Sequence, residues 1–157
     1  MKKGFSLIEI ILVLSIFSIL TSFVTINLLR PQNKASVDSI STQLVADIKN
    51  QQIKSMVGDT EGQNTPQQFG VYFEQDGYTL FRGAAYNNSE PSNFKVTLEG
   101  DLAIGNITFG ANQIIFEKIS GNVAGFTPGS NSLTISHASS GVTETVIINS
   151  LGAITTN

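Results

Sequence analysis

The stretch Gly4-Phe5-Ser6-Leu7-Ile8-Glu9 stands near the start of the chain, and an uncharged run from Ile10 to Leu29 follows it. Glu9 therefore lies just inside the entrance of a segment that is otherwise long and apolar enough to cross a membrane. A charge in the bilayer core costs at least about 2.5–3.5 kcal/mol, so an ionisable residue there is a candidate functional residue. A plain anchor has no need of Glu9, and we expect a partner for its carboxylate.

Two simpler interpretations of this segment explain less of it. A secretory signal peptide has a shorter apolar region, of about 7–15 residues, and a small-residue cleavage site. A simple membrane anchor leaves Glu9 unexplained, together with six small polar residues that let helices approach closely: Ser15, Ser18, Thr21, Ser22, Thr25 and Asn27. The sequence thus predicts a helix that spends time in lipid and later packs against similar helices.

With Lys2 and Lys3 before it, the hexapeptide resembles the leader of type IV prepilins. The resemblance implies that prepilin peptidase cuts after Gly4 and methylates the new N-terminus at Phe5. It implies that Glu9 then pairs, inside a filament, with the N-terminal amine of a neighbouring subunit. The other implied partners are further pilins, joined through the N-terminal helix, and, indirectly, a membrane platform protein and an assembly ATPase.

The length and composition limit which folds and functional sites the rest of the chain can form. The 157 residues suffice for about one domain beyond the N-terminal helix. Cysteine is absent, which excludes disulfides and thiolate metal sites. Residues 31–157 carry six Lys or Arg and eleven Asp or Glu. Because a nucleic-acid surface needs clustered basic residues, we expect none here.

The sequence patterns and the leader resemblance together predict four segments: a leader (1–4), a transmembrane and filament-core helix (5–30), an amphipathic helix that packs on the head (31–57) and a β-rich head (58–157). Lys2 and Lys3 favour a cytoplasmic N-terminus, although the basic residues after the apolar run weaken that preference. The leader resemblance implies a single-pass protein of the cytoplasmic membrane, with its N-terminus on the cytoplasmic side and its head in the periplasm or outside the cell. The subunit would later move into a filament.

The second half of the helix has an apolar stripe formed by Val37, Ile40, Leu44, Ile48 and Met56. Pro31 is expected to kink or interrupt the helix, and Asn33 or Ser36 could cap a restart. A polar, glycine-containing loop is expected over 58–67.

Alternating apolar residues then predict antiparallel strands. Phe69 to Arg82 forms a hairpin around Asp76-Gly77. Further strands are expected over 94–98, 113–119, 132–137, 143–149 and 153–156. Residues 102–109 are expected to form one or two short strands, broken by Gly105. The fold class is therefore α+β, with a long N-terminal helix and an antiparallel β-rich globular head. The leader resemblance implies that this fold is pilin-like.

The last third also resembles the H-type pseudopilins and T-type fimbrial minor pilins. The similarity lies in the strand Ile115–Ile119, the glycine loop after it, the strand Ser132–Ser136 and a final strand that ends in Gly152. Some fimbrial members bind DNA through basic residues near the C-terminus. The tail here, residues 152–157, has no charge, so DNA binding by that route is not expected.

The sequence offers little chemistry. His137 is the single histidine, and Glu144 is the nearest acid across a predicted turn; a surface histidine is the favoured interpretation over a catalytic pair. Asp59 and Glu61 are too few to hold calcium alone. We expect no enzyme, no metal and no cofactor.

The favoured function is that of a structural minor subunit of a type IV pilus or of a type II secretion pseudopilus. The alternative is a tip or surface binding module whose loops, Ala84–Asn93 or Gly121–Asn131, contact a secreted substrate, a surface or DNA.

Overall fold

A computed structural model describes residues 6–157 of the chain, and within them it describes the side chains of all but residues 23–31. One α-helix, α1, runs from Leu7 to Val57. Its 51 residues span about 75 Å at a rise of 1.5 Å per residue. The helix ends at Gly58, whose φ of 69° is left-handed and whose N–H turns back to the carbonyls of Lys54 and Ser55.

The predicted interruption at Pro31 is wrong, because α1 is helical on both sides of this residue and through it. A proline removes only one backbone N–H, and the hydrogen bonds of the neighbouring turns can carry the helix past it. No restart needs a cap: the Ser36 hydroxyl donates to the Gln32 carbonyl within the same helix, at 3.1 Å.

The head contains eight strands in two antiparallel four-stranded sheets, as the alternation predicted. Sheet A has the order β3-β2-β1-β5 and sheet B the order β4-β6-β7-β8. The bounds are β1 Phe69–Glu74, β2 Gly77–Arg82, β3 Phe94–Thr97, β4 Leu102–Gly105, β5 Gln113–Phe116, β6 Ser132–His137, β7 Val142–Ile148 and β8 Ile154–Thr156. The α+β fold with a β-rich head is thus confirmed.

The hairpin of β1 and β2 turns one residue earlier than predicted. Gly77 already pairs with Glu74, which leaves Gln75 and Asp76 as the turn. The turn also joins the two sheets, because the Ile104 N–H of β4 donates to the Gln75 carbonyl at 3.0 Å.

The core lies between α1 and the inner faces of both sheets. Helix α1 contributes Val37, Leu44 and Ile48, each at most 1% exposed. The strands contribute alternate side chains, which include Val71, Phe73, Tyr78, Ile114, Phe116, Leu133, Ile135, Val146 and Ile148. Apolar burial of this kind supplies the main driving force for the docking of α1 on the head.

A second, smaller cluster covers the outer face of sheet A. The Phe81 ring lies against Gly70, where a Cβ atom would stand 2.6 Å from the ring. Tyr86, in the loop after β2, meets the Phe81 ring edge-on and stacks on Tyr72 with ring centroids 4.1 Å apart. The loop over 84–93 is therefore folded onto the sheet.

The buried stripe of α1 differs from the predicted one at its C-terminal end. Met56 is 46% exposed, so its assignment to the stripe is wrong. The stripe is completed instead by three polar residues that are at most 3% exposed: Ser41, Gln51 and Ser55. The spacing from Val37 to Ser55 alternates between four and three residues, which keeps one helix face on the core.

Candidate functional site

The N-terminal arm, residues 6–22 of the chain, is exposed along its whole length. Four successive residues, Ile10, Ile11, Leu12 and Val13, are 51%, 55%, 57% and 58% exposed. Because four consecutive residues point to all sides of a helix, no side of the arm rests on the head. An apolar surface of this extent marks a site for protein or lipid contact.

The hydroxyl groups of the arm are compatible with apolar surroundings. Ser15 donates to the carbonyl of Ile11 and Thr21 to the carbonyl of Phe17, each at 2.8 Å. A hydroxyl buried without a hydrogen bond would cost free energy, and these internal bonds remove that cost. The arm can therefore enter lipid or a helix bundle without leaving these two donors unsatisfied.

Glu9 lies in the first turn of α1. The Ser6 carbonyl accepts hydrogen bonds from the N–H groups of Glu9, at 3.0 Å, and Ile10, at 3.3 Å, but the Ser6 side chain forms no cap. A carboxylate at this end of a helix is stabilised by the macrodipole. Within residues 6–157, Glu9 forms no ion pair, so its exposed carboxylate is accessible to a cation from outside the described chain.

The predicted cleavage and methylation residues, Gly4 and Phe5, lie outside the described residues. Over the part of the chain that is described, no helix has the length and hydropathy of a membrane span. The transmembrane segment over 5–30 therefore stays a prediction.

Side-chain hydrogen bonds hold the C-terminal half of α1 to the head. Gln51 Nε2 donates to the Gly70 carbonyl at 3.1 Å, and the Ser55 hydroxyl accepts the Phe69 N–H at 3.0 Å. The apolar pattern of the sequence did not identify these two residues as buried. A polar side chain can be assigned to a buried stripe only when its hydrogen-bond partner is known.

Gln52 joins α1 to two loops of the head. Its Nε2 donates to the Gly121 carbonyl at 2.9 Å and to the Leu151 carbonyl at 2.8 Å. The two loops follow β5 and β7, so a single side chain fixes the end of α1 against both sheets. Sequence reasoning did not identify Gln52 either.

Asp47 accepts a hydrogen bond of 2.6 Å from the Tyr78 hydroxyl of β2. Tyr78 is fully buried. Burial raises the pKa of Tyr78 well above its usual range, and the hydrogen bond to Asp47 and the charge of that carboxylate raise it further. The phenol therefore stays protonated and acts as a donor that ties β2 to α1.

The weaker candidates from the sequence do not form a chemical site. Across β6 and β7, His137 stands opposite Val142, and Glu144 stands opposite Ile135, so the suggested pairing of His137 with Glu144 is wrong. The turn between the strands sets this register and places the two side chains two residues apart.

Asp59 and Glu61 serve the loop after α1. Asp59 Oδ1 accepts the Glu61 N–H at 2.9 Å, and Glu61 Oε1 lies 2.6 Å from Lys54 Nζ. Among the described residues, no group of three or more potential metal ligands comes together.

Comparison with known proteins agrees with the geometry of the arm. Residues 1–25 match the family model of the prokaryotic N-terminal methylation motif. The chain carries a type IV pilin-like prepilin signal. No curated protein and no solved structure matches the chain. The prepilin signal covers Gly4, Phe5 and Glu9, and it implies processing by prepilin peptidase and assembly with other pilins.

Proposed function

We propose that the chain is a structural filament subunit, a minor pilin or pseudopilin of a type IV pilus or of a type II secretion pseudopilus. The observation that carries this proposal is the uncovered apolar arm, which has one carboxylate in its first turn and lies within the matched prepilin signal. In this role the subunit is not an enzyme and uses no cofactor, because it acts by packing against other subunits of the filament.

The arm is proposed to reside first in the cytoplasmic membrane, with the N-terminus inside and the head outside. Prepilin peptidase would cut after Gly4 and methylate Phe5. An assembly ATPase, acting through a membrane platform protein, would then move the arm from lipid into a bundle of similar helices. The exposed apolar side chains exchange one apolar environment for another in this step, which keeps its free-energy cost small.

Glu9 is the exception, because a carboxylate in an apolar bundle needs a partner. An unpaired buried charge destabilises a protein by about 3–5 kcal/mol. The free amine at Phe5 of a neighbouring subunit is the proposed partner. Glu9 would thereby favour subunits that have been processed and that stand in the correct axial position.

The test replaces Glu9 by leucine in the full-length chain. Glu9→Leu should leave cleavage and membrane insertion intact, since it makes the arm more apolar, but should reduce incorporation into filaments at least tenfold. Immunoblots of sheared filaments and of membranes measure both quantities. Ser15→Ala is the matched control, because the Ser15 hydroxyl is bonded within its own helix. Normal incorporation of Glu9→Leu would refute the pairing.

A further inference from the structure

An exposed apolar patch lies at the C-terminal end of α1. It consists of Ile53, Met56, Val57, Ile119 and Leu151, which are 56%, 46%, 71%, 80% and 65% exposed. The residues come from three segments that Gln52 holds together through its bonds to the Gly121 and Leu151 carbonyls. The patch is therefore a built surface, and the head itself leaves it uncovered.

Ile119 is held outward at the cost of backbone strain. Its φ is 69°, a left-handed value that a β-branched residue rarely adopts. The Ile119 N–H donates to the Ser55 carbonyl at 3.0 Å, and the Gly121 N–H donates to the Glu117 carbonyl at 3.0 Å. These bonds fix the loop to the end of α1 and present the apolar side chain to solvent.

An open groove of about 770 Å³ lies at the other end of the head, beside residues 35–43 of α1. Ile40, Val96 and Leu102 contribute apolar side chains to its lining, and all three pack against the core. Glu99, Asp101 and His137 also line it. The groove is therefore a concave surface with apolar and acidic residues that borders α1.

The charges around the two surfaces are complementary. Lys49 lines one surface depression together with Ile53 and Leu151 of the patch, and Lys118 directly precedes Ile119 in the chain. Within the described residues neither lysine forms an ion pair. Glu117 offsets part of this charge, while the Glu99 and Asp101 carboxylates leave the groove acidic. Complementary charges of this kind fix the register of an interface more than its affinity.

The positions of the two surfaces decide the symmetry of a contact between them. The groove lies at the β3 and β4 edges of the sheets, whereas the patch lies at the β5 and β8 edges. Their centres on α1 are separated by about 24 Å along the helix axis. Two different surfaces on opposite edges, displaced along an axis, produce a head-to-tail contact that propagates and does not close.

We infer that the apolar patch of one head docks into the acidic groove of the head of a second copy of this chain. The inference rests on the proposed function, because parallel arms in one bundle bring neighbouring heads into the same orientation. It adds a head-to-tail contact between neighbouring globular heads, with Ile119 as the anchor and Lys118 opposite Glu99, to the contacts that the arms make. It requires that copies of this chain stand next to one another in a filament.

The absence of native cysteine allows a clean cross-linking test in the full-length chain. Ile119→Cys places a thiol on the patch, and Ser39→Cys places one at the groove, where Ser39 is exposed. The double variant should form dimers, trimers and larger species on mild oxidation. Co-expressed single variants should form dimers only, and each single variant alone should form none.

Matched controls separate this contact from random collision. Thr143 is exposed on the outer face of sheet B, away from the groove. The control variant therefore combines Ile119→Cys with Thr143→Cys, and it should not cross-link. Lys118→Glu should lower the cross-linked yield at least fivefold, and Glu99→Lys in the same chain should restore it. Each sample is also scored for incorporation into sheared filaments.

The outcomes distinguish the two proposals. Normal incorporation without cross-linking of the double variant would overturn the head contact and leave the proposed function standing. Cross-linking of Ile119→Cys with itself would replace the head-to-tail contact by a two-fold one and would equally overturn the inference. Absence of the wild-type chain from sheared filaments would instead overturn the proposed function, whatever the cross-linking shows.

Discussion

Gly152 shows how closely α1 approaches the C-terminal turn of the head. Its φ is +77°, and a Cβ atom at this position would collide with the Gln52 side chain and lie 3.1 Å from the Phe116 ring. Two costs would therefore add in an alanine variant: left-handed strain and overpacking.

We predict that Gly152→Ala lowers the free energy of unfolding by about 3 kcal/mol, from these two costs together. Gly141→Ala is the matched control, because Gly141 has a φ of +67° with no neighbour within 4 Å. It should cost about 1 kcal/mol, from strain alone. Urea unfolding of the full-length chain in detergent, followed by circular dichroism, measures both values. Equal losses would contradict the close contact.

At the residue scale, the sequence was most informative where chemistry is local and least informative where it depends on a partner. Glu9 stands out because it interrupts an apolar run, so no structure is needed to single it out. Gln51, Gln52 and Ser55 bond to atoms that lie far along the chain, and their polar side chains resemble those of a solvent-exposed helix face.

At the element scale, α1 joins two environments in one continuous helix. Its first part is bare on all sides, and its second part buries one stripe against both sheets. The strands followed from a two-residue alternation, which burial on one face imposes. The passage through Pro31 was missed because a local rule about proline was given more weight than the helical pattern on either side.

The bond between Tyr78 and Asp47 links α1 to β2 and gives a pH test of helix docking. Burial and the Asp47 carboxylate raise the pKa of Tyr78 above its ordinary value of 10.0. In the unfolded chain the phenol ionises near pH 10, while the folded chain retains the proton. The stability that this group contributes is therefore complete below pH 10 and declines as the pH rises above it.

We predict that Tyr78→Phe lowers the free energy of unfolding by about 1 kcal/mol at pH 7, through the lost hydrogen bond. Between pH 9 and 11, the wild-type chain should lose more stability than the variant, because the variant lacks the titrating phenol. Urea unfolding at several pH values tests this difference. Parallel curves for the two proteins would show that Tyr78 does not sense the buried environment.

At the scale of the whole molecule, the proposed function gives the two parts of the chain separate tasks. The arm is an apolar helix with one carboxylate in its first turn. Such a helix suits assembly with similar helices but does little to distinguish one neighbour from another. In the proposed contact between heads, the charged and apolar surface of the head would set the register of neighbouring copies. The sequence predicted this division from the contrast between the uncharged run and the alternating strands, while the surfaces of the head emerge only from the fold.

The central claim is that the chain is processed as a prepilin, and one measurement tests it most directly. It is the intact mass, with N-terminal analysis, of the chain from a host that expresses its own prepilin peptidase. The account predicts a mature chain that begins at Phe5 with a methylated amine, next to an unchanged Glu9. A chain that still begins at Met1 in the presence of active peptidase would contradict the account.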